Sequence, residues 1–246
     1  MRGLWSLVLM VLASPALAVE CRDQEVDGAA YTICTVDAAA EDLRLFLNNP
    51  ETGAPLGNFT SIEKLVEAEG GVLAFSMNAG MYHTDRRPVG HYAEDGQSLA
   101  PVVTRAGPGN FGLLPNGVFC IRDGRADVFE TLRYVEEEPG CAYASQSGPM
   151  LVIDGALHPR FLPDSDSRYI RNGVGTSADG TTAIFAISNE PVTFHQFGTL
   201  FRDHLGTPQA LYFDGNISRL YATDLDRFDG GFPMGPMVGV VVRAPE

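Results

Sequence analysis

Beyond residue 18 the chain has no tryptophan, because its single Trp is Trp5. It also lacks any later apolar run near the roughly 20 residues that a membrane-spanning helix needs. Positive charge is scarce: 17 basic side chains stand against 31 acidic ones, for a formal charge of −14. That balance argues against nucleic acid, whose phosphates are held by clustered Lys and Arg. It leaves room for a small anionic ligand held by a local Arg. Repeats, low-complexity linkers and sharp composition shifts are missing too, so residues 19–246 read as one domain large enough to bury a core.

What the N-terminus does contain is an export signal. Arg2 precedes the apolar run Leu4–Ala13, Ser14–Pro15 breaks it, and Ala16–Leu17–Ala18 supplies the small–x–small pattern that signal peptidase accepts. Residues 1–18 are therefore expected to be cleaved, leaving 16 basic against 31 acidic side chains, or −15. The mature chain, with no transmembrane span, is expected to be periplasmic or secreted. In that compartment the 4 cysteines favour disulfides. Of three pairings the near-neighbour set, Cys21–Cys34 with Cys120–Cys141, closes the shortest loops and is expected. Free thiols and a metal site are the alternatives, but no C-x-x-C or Cys/His spacing supports a metal.

Alternation and punctuation predict an α+β fold, a mixed, β-rich sheet flanked by a few helices. Tyr31–Val36 and Leu43–Leu47 read as a starting hairpin-like pair. Thr60–Ser61–Ile62–Glu63 reads as a capping box opening a helix that Gly70–Gly71 stops. Val72–Met77 reads as a buried strand, residues 82–97 as loop, and Leu99–Thr104, Gly117–Ile121, Ala126–Phe129 and Met150–Ile153 as further strands. Thr182–Ser188, a helix capped by Thr193 and Gln196, and Ala210–Phe213 form a strand–helix–strand unit. If its strands are parallel, that unit puts Asp214 at a strand's carboxyl end, where open α/β sheets tend to place ligands. Met237–Val242 is expected as the last strand.

Several matches carry no chemistry. Gly107, Gly109 and Gly112 fit a dinucleotide fingerprint as letters only, because Pro108 and Pro115 prevent a helix from starting there. Ser147 lacks the G-x-S-x-G elbow. His195 and His204 read as surface or packing residues. The acids around Asp164 and Asp224–Asp229 complete no EF-hand loop. No metal or cofactor is expected.

Four small-residue polar turns remain: Asn78–Ala79–Gly80–Met81, Gln146–Ser147–Gly148–Pro149–Met150, Arg171–Asn172–Gly173–Val174–Gly175 and Asp214–Gly215–Asn216–Ile217–Ser218. One alone is an ordinary turn. Together they can gather a carboxylate, a guanidinium and several amide and hydroxyl groups around a polar ligand close to the backbone.

With their order and spacing, the strings SMNAGMY, QSGPMLVIDG, RNGVG and ALYFDGNISRLYA resemble the phosphodiester glycosidase family, over most of Gly71–Ala222. The family usually follows its Asp with two or more glycines; here Gly215 is followed by Asn216, which would narrow the site or alter its specificity. The resemblance implies hydrolysis of the bond between a sugar's anomeric carbon and a phosphodiester, on an N-acetylglucosamine-type sugar or related envelope glycan. Under it Arg171 binds the phosphate in a bidentate fork. Asp214 serves as base for water or as stabiliser of an oxocarbenium-like transition state. Asn78, Ser147 and Asn172 hydrogen-bond the substrate, Gln146 orients the ring, and Gly80, Gly148, Gly173, Gly215 and Asn216 shape the cavity. Asp154 is the second carboxylate, although Asp154–Gly155 reads better as a hairpin turn. Arg87 and Arg168 are weaker phosphate candidates, and Tyr82, Tyr212 and Tyr221 are aromatics placed to stack on sugar. The alternative function is a carbohydrate-binding or polysaccharide-assembly accessory protein that uses the same cavity without turnover.

Overall fold

The computed structural model describes residues 19–243; the expected signal peptide, residues 1–18, lies outside the described residues. The chain is an α+β domain in which three antiparallel sheets take the place of one mixed sheet. The first sheet runs β1 (Val19–Val26), β2 (Ala29–Asp37), β13 (Thr182–Ser188), β12 (Asn172–Thr176), β14 (Gln209–Asp214), β10 (Met150–Ile153) and β11 (Ala156–Leu157). The second runs β16 (Arg227–Phe228), β15 (Leu220–Ala222), β4 (Gly71–Asn78), β17 (Met237–Arg243) and β3 (Asp42–Phe46). The third runs β6 (Gln97–Ala100), β5 (Tyr92–Glu94), β9 (Tyr143–Ser147), β7 (Gly117–Arg122) and β8 (Arg125–Glu130).

All three sheets turn apolar side chains into one core. Phe75, Phe185, Phe119 and Phe213 meet there with ring centroids 5.0, 5.8 and 6.1 Å apart in sequence of contact. Edge-to-face and tilted pairs of this kind add to the burial of large aromatic surfaces. The other face of the first sheet is covered by α3 (Phe194–Thr199) and the π-turn Leu200–His204, which bury Phe197, Leu200 and Phe201 against Ile33, Ala186 and Tyr212. The expected capping box of α3 is present, with Thr193 and Gln196 exchanging side-chain and backbone bonds. The outer face of the second sheet is covered by α1 (Phe59–Ala68) through Ile62 and Val66. Its cap is Asn58, whose side chain accepts from the Ser61 N–H at 2.9 Å, two residues ahead of the predicted Thr60.

Several expectations need correction. Residues 82–97, read as loop, contain β5, and the strand expected over Leu99–Thr104 is β6, which starts at Gln97 and ends at Ala100. β2 and β3 do not pair: β2 lies between β1 and β13, while β3 joins β17 in another sheet. The missed strand β1 carries Cys21 and is held to β2 by both ladder bonds and the Cys21–Cys34 disulfide. Of Arg171–Gly175, read as a turn, Asn172–Gly175 lie in β12, an interior strand between β13 and β14. Its two glycines suit it to that place, because a side chain on Gly173 would collide with the Leu211 carbonyl across the strand. The last strand, β17, is likewise interior to its sheet. A short helix, α2 (Thr131–Glu137), was also missed. The second disulfide, Cys120–Cys141, is as expected. β13 and β14 both run antiparallel to β12, hence parallel to each other, and Asp214 ends β14 as predicted.

Candidate active site

The site is assembled where strands of two sheets end together. β4 ends at Asn78, β12 begins at Asn172, and Asn172 is the ladder partner of Asp214 at the end of β14. The two asparagine side chains clasp each other: Asn78 Nδ2 donates to Asn172 Oδ1 at 3.1 Å, and Asn172 Nδ2 donates to Asn78 Oδ1 at 3.1 Å and to the Asn78 carbonyl at 2.9 Å. Asn78 Oδ1 also accepts from the Arg219 N–H at 3.0 Å, and Asn172 Oδ1 from the Asp214 N–H at 3.3 Å. Both residues are fully buried. Buried amides are costly unless paired, so this cluster fixes the Asp214–Arg219 loop against two strands. Ser218 closes it, its hydroxyl donating to the Asp214 carbonyl at 2.9 Å.

Asp214 itself is half-buried. Its Oδ1 accepts from the backbone N–H groups of Gly215 at 2.6 Å and Asn216 at 3.0 Å. Burial pushes its carboxyl above the usual value, opposed by the backbone N–H groups of Asn216, Gly215 and Ile217. A carboxylate raised by desolvation in a concave polar setting is a recognised mark of a functional group. Asp214 lines an open depression of about 340 Å³ together with Tyr82, His83, Arg86, Asn216 and Phe232. Arg86 is held in the left-handed region at φ 73°, by the turn in which its N–H donates to the His83 carbonyl at 2.8 Å. Non-glycine residues in that region carry strain that clusters at functional sites. Its guanidinium lies 5.4 Å from the Tyr82 ring centroid. Arg87, by contrast, points to Asp85, with which it forms an exposed ion pair at 2.7 Å, and Arg168 donates to Gln196 at 2.9 Å.

Arg171 is fully buried. Its guanidinium sits 3.6 Å from the Phe194 ring centroid and 5.5 Å from those of Tyr169 and Tyr212. Nε donates to the Val192 carbonyl at 2.8 Å, Nη2 to the Ser167 carbonyl at 3.1 Å, and Nη1 to the Tyr212 hydroxyl at 3.4 Å. No carboxylate pairs with it among the described residues, and burial lowers its affinity for the proton, yet a guanidinium stays charged in proteins. The Tyr212 hydroxyl that it touches packs directly on Gly215, where any side chain would collide with it. Arg171 thus reaches the Asp214 loop through Tyr212 and has no surface in the groove.

The remaining predicted residues divide. Gly215 and Asn216 belong to the Asp214 loop, and Asn216 is exposed on the groove. Ser147 ends β9, with its hydroxyl donating to the Phe213 carbonyl at 2.8 Å, one residue before Asp214. Gly148 follows in a cis linkage to Pro149 and packs on Asn116; Gly80 packs on Ser145. Gln146 spends its whole bonding capacity elsewhere. Its Oε1 accepts from the His91 and Val103 N–H groups at 2.9 and 3.0 Å, and its Nε2 donates to the Val103 carbonyl and Thr131 Oγ1 at 2.7 and 3.1 Å. Asp154 is the hairpin turn between β10 and β11, paired with Arg133 at 3.0 Å. His83 and Arg86 were the residues that sequence reasoning passed over. Their signal was position, within eight residues of Asn78 on the loop that leaves β4. Among the described residues no group of three or more His, Cys, Asp or Glu side chains is placed to hold a metal.

The chain is thus a β-rich α+β domain with a desolvated carboxylate at a strand end, beside a clasped asparagine pair. The chain belongs to the phosphodiester glycosidase family, whose profile matches residues 72–241. It is 31% identical over 222 residues to an Escherichia coli (strain K12) protein described as "uncharacterized protein YigE", covering 87% of this chain and 84% of that one. Its fold is similar to the zebrafish N-acetylglucosamine-1-phosphodiester alpha-N-acetylglucosaminidase catalytic domain auto-inhibited by pro-peptide. That match has a TM-score of 0.64 at 12% identity and covers 93% of this chain and 85% of that one. A hypothetical protein from Synechocystis matches with a TM-score of 0.59 at 14% identity, over 91% of this chain and 61% of the other.

Proposed function

We propose that this chain is an exported hydrolase that cleaves the C1–O bond of a sugar-1-phosphodiester in the groove floored by Asp214. The observation that carries the reading is the Asp214 carboxyl itself, desolvated, tied to backbone N–H groups and facing a groove that also holds Arg86 and His83. Membership of the phosphodiester glycosidase family supplies the reaction class.

The chemistry suits one carboxylate. The departing phosphate monoester has a second pKa of roughly 6, far below that of an alkoxide, so it leaves without a strong general acid. Asp214 then acts as base for the attacking water or stabilises positive charge at the anomeric carbon. The phosphate gains a negative charge as the bond breaks, and Arg86 is placed at the groove to meet it; such charge-assisted bonds strengthen as the charge develops. Asn78 and Asn172 hold the Asp214 loop, and Arg171 supports it from behind through Tyr212. Export fits the two disulfides, which persist in oxidising compartments, and no helix among the described residues is long and apolar enough to cross a membrane.

The test is to incubate purified protein with an N-acetylglucosamine-α-1-phosphodiester and follow free sugar. Release that Asp214→Asn abolishes, and that Arg86→Ala slows mainly through a higher KM, supports the enzyme. Binding of that phosphodiester without any release of sugar, equally tight in Asp214→Asn, overturns it in favour of a carbohydrate-binding accessory protein.

A further inference from the structure

A second depression, of about 370 Å³, lies at the other end of the Phe228–Phe232 segment from the first. It is lined by Asn58, Phe59, Glu63, Tyr221, Phe228 and Asp229. The segment from Phe228 to Phe232 connects the two: Phe228 borders the second and Phe232 the first. Three residues lie between Phe228 and Phe232, so their Cα atoms stand no more than about 14 Å apart at full extension. Both rings are turned to solvent, at 56% and 77% exposure. Phe228 leans on Tyr221 with centroids 5.1 Å apart, leaving its other face open. The segment is braced rather than loose: Arg219 Nη1 donates to the Phe232 carbonyl, the Met234 N–H donates to the Gly57 carbonyl at 2.7 Å, and Tyr82 donates to the Pro233 carbonyl at 3.3 Å.

Two acids, Glu63 and Asp229, line the second depression and no basic side chain does; the Asp229 charge is met by Arg227 at 2.9 Å, outside the lining. Glu63 accepts from the Tyr221 hydroxyl at 2.9 Å, which leaves acceptor capacity for ligand hydroxyls. The guanidinium that pairs with Asp229 is Arg227, which turns inward to Thr32 and Asn189 at 2.8 and 2.7 Å. An aromatic platform with acceptor groups and no cation suits the apolar face and hydroxyl edge of a neutral sugar, and it offers phosphate or uronate no group to pair with.

We infer that this strip is a distal glycan subsite, which receives uncharged sugar residues of a chain whose phosphodiester end lies at Asp214. It names the substrate of the proposed reaction as an oligosaccharide or polysaccharide and rests on that reading for its direction along the groove, but not for its existence. Phe228 is a binding residue of this subsite and touches no group at Asp214.

The experiment is calorimetric titration of the purified protein and of Phe228→Ala with neutral glucan and N-acetylglucosamine oligomers of one to five units, and with an oligogalacturonide as the anionic counterpart. The expected result is affinity that rises with length for neutral oligomers only. Phe228→Ala should weaken the longest by about tenfold, the size of one aromatic contact, and leave the monosaccharide unchanged. Asp214→Asn should bind as the parent does, so a failure of hydrolysis leaves this test intact. Affinity independent of length, tighter binding of the anionic oligomer, or no effect of Phe228→Ala would overturn the inference. So would a Phe228→Ala change confined to the sedimentation behaviour of the protein, which would assign the strip to a second copy of the chain.

Discussion

Asp214 ends β14 and Arg171 immediately precedes β12, the adjoining strand, and their surroundings are opposites. Asp214 has neighbours that only partly compensate its charge: backbone N–H groups on one oxygen and an open groove beside it. Arg171 is sealed among Phe194, Tyr169 and Tyr212, and each of its nitrogens has an acceptor. A group meant to meet substrate keeps unspent capacity and an approach; a group that holds a site together spends its capacity on the protein. On that criterion Arg86 belongs with Asp214, while Asn78, Asn172 and Gln146 belong with Arg171.

The largest effect that sharpens this comparison is Asp214→Asn. Sugar release should fall by about a thousandfold or more, as expected when a group used only in the transition state is lost. Thermal stability should stay level or rise. The sign follows from the carboxyl's raised affinity for protons in the folded state: ionising it costs the fold stability as pH climbs above the ordinary carboxylate range, and an amide removes that cost. Calorimetry beside the rate assay checks both halves, and a large loss of stability would recast Asp214 as structural.

Arg171→Ala should behave the other way, losing about 2–4 kcal/mol of stability through its buried bonds and the cavity left behind. Arg171→Lys should recover part of that stability, since a lysine keeps charge over Phe194 but cannot make the same three bonds. Denaturant unfolding reads this directly; a stable Arg171→Ala protein that has lost only phosphate affinity would break the comparison. Arg86→Ala should raise KM by about tenfold, the value of one charge-assisted bond near solvent, with little change in unfolding midpoint.

The pH profile should be the subtler effect. With Asp214 acting in its ionised form, kcat/KM should climb through a pKa above the ordinary 3.8 of aspartate and reach a plateau at higher pH. Asp214→Glu, if it retains measurable rate, should move that inflection; a profile flat through the acid range would show that the carboxylate does not titrate in the free enzyme.

Much of this was legible in the residues. The strand at 182–188, the helix cap at Thr193, the strand end at Asp214 and both disulfides each rest on local signals that tertiary packing reinforced. The Asp154 turn was legible in the same way. What was hidden is non-local. Arg171–Gly175 reads as a turn because its glycines are punctuation in isolation; only the close approach of β14, with Leu211 against Gly173, makes glycine the residue of an interior strand. Arg171 looked like a phosphate clamp because a guanidinium suits phosphate, and no pattern showed that Phe194 and Tyr212 would enclose it. Gln146 looked free for substrate until the segment around Val103 folded onto it. Arg86, the cation that does face the groove, carried no distinguishing neighbour except its place just after the Asn78 strand.

The central claim is cleavage at the sugar carbon by the Asp214 groove, and its most direct measurement is turnover of an N-acetylglucosamine-α-1-phosphodiester in 18O-enriched water. The phosphorus NMR signal of the released phosphate monoester is then examined for an isotope shift. The account predicts a monoester with no 18O, because water attacks carbon and the phosphate keeps all its own oxygens, and no product at all with Asp214→Asn. Incorporation of 18O into the phosphate, or undiminished product from Asp214→Asn, would contradict it.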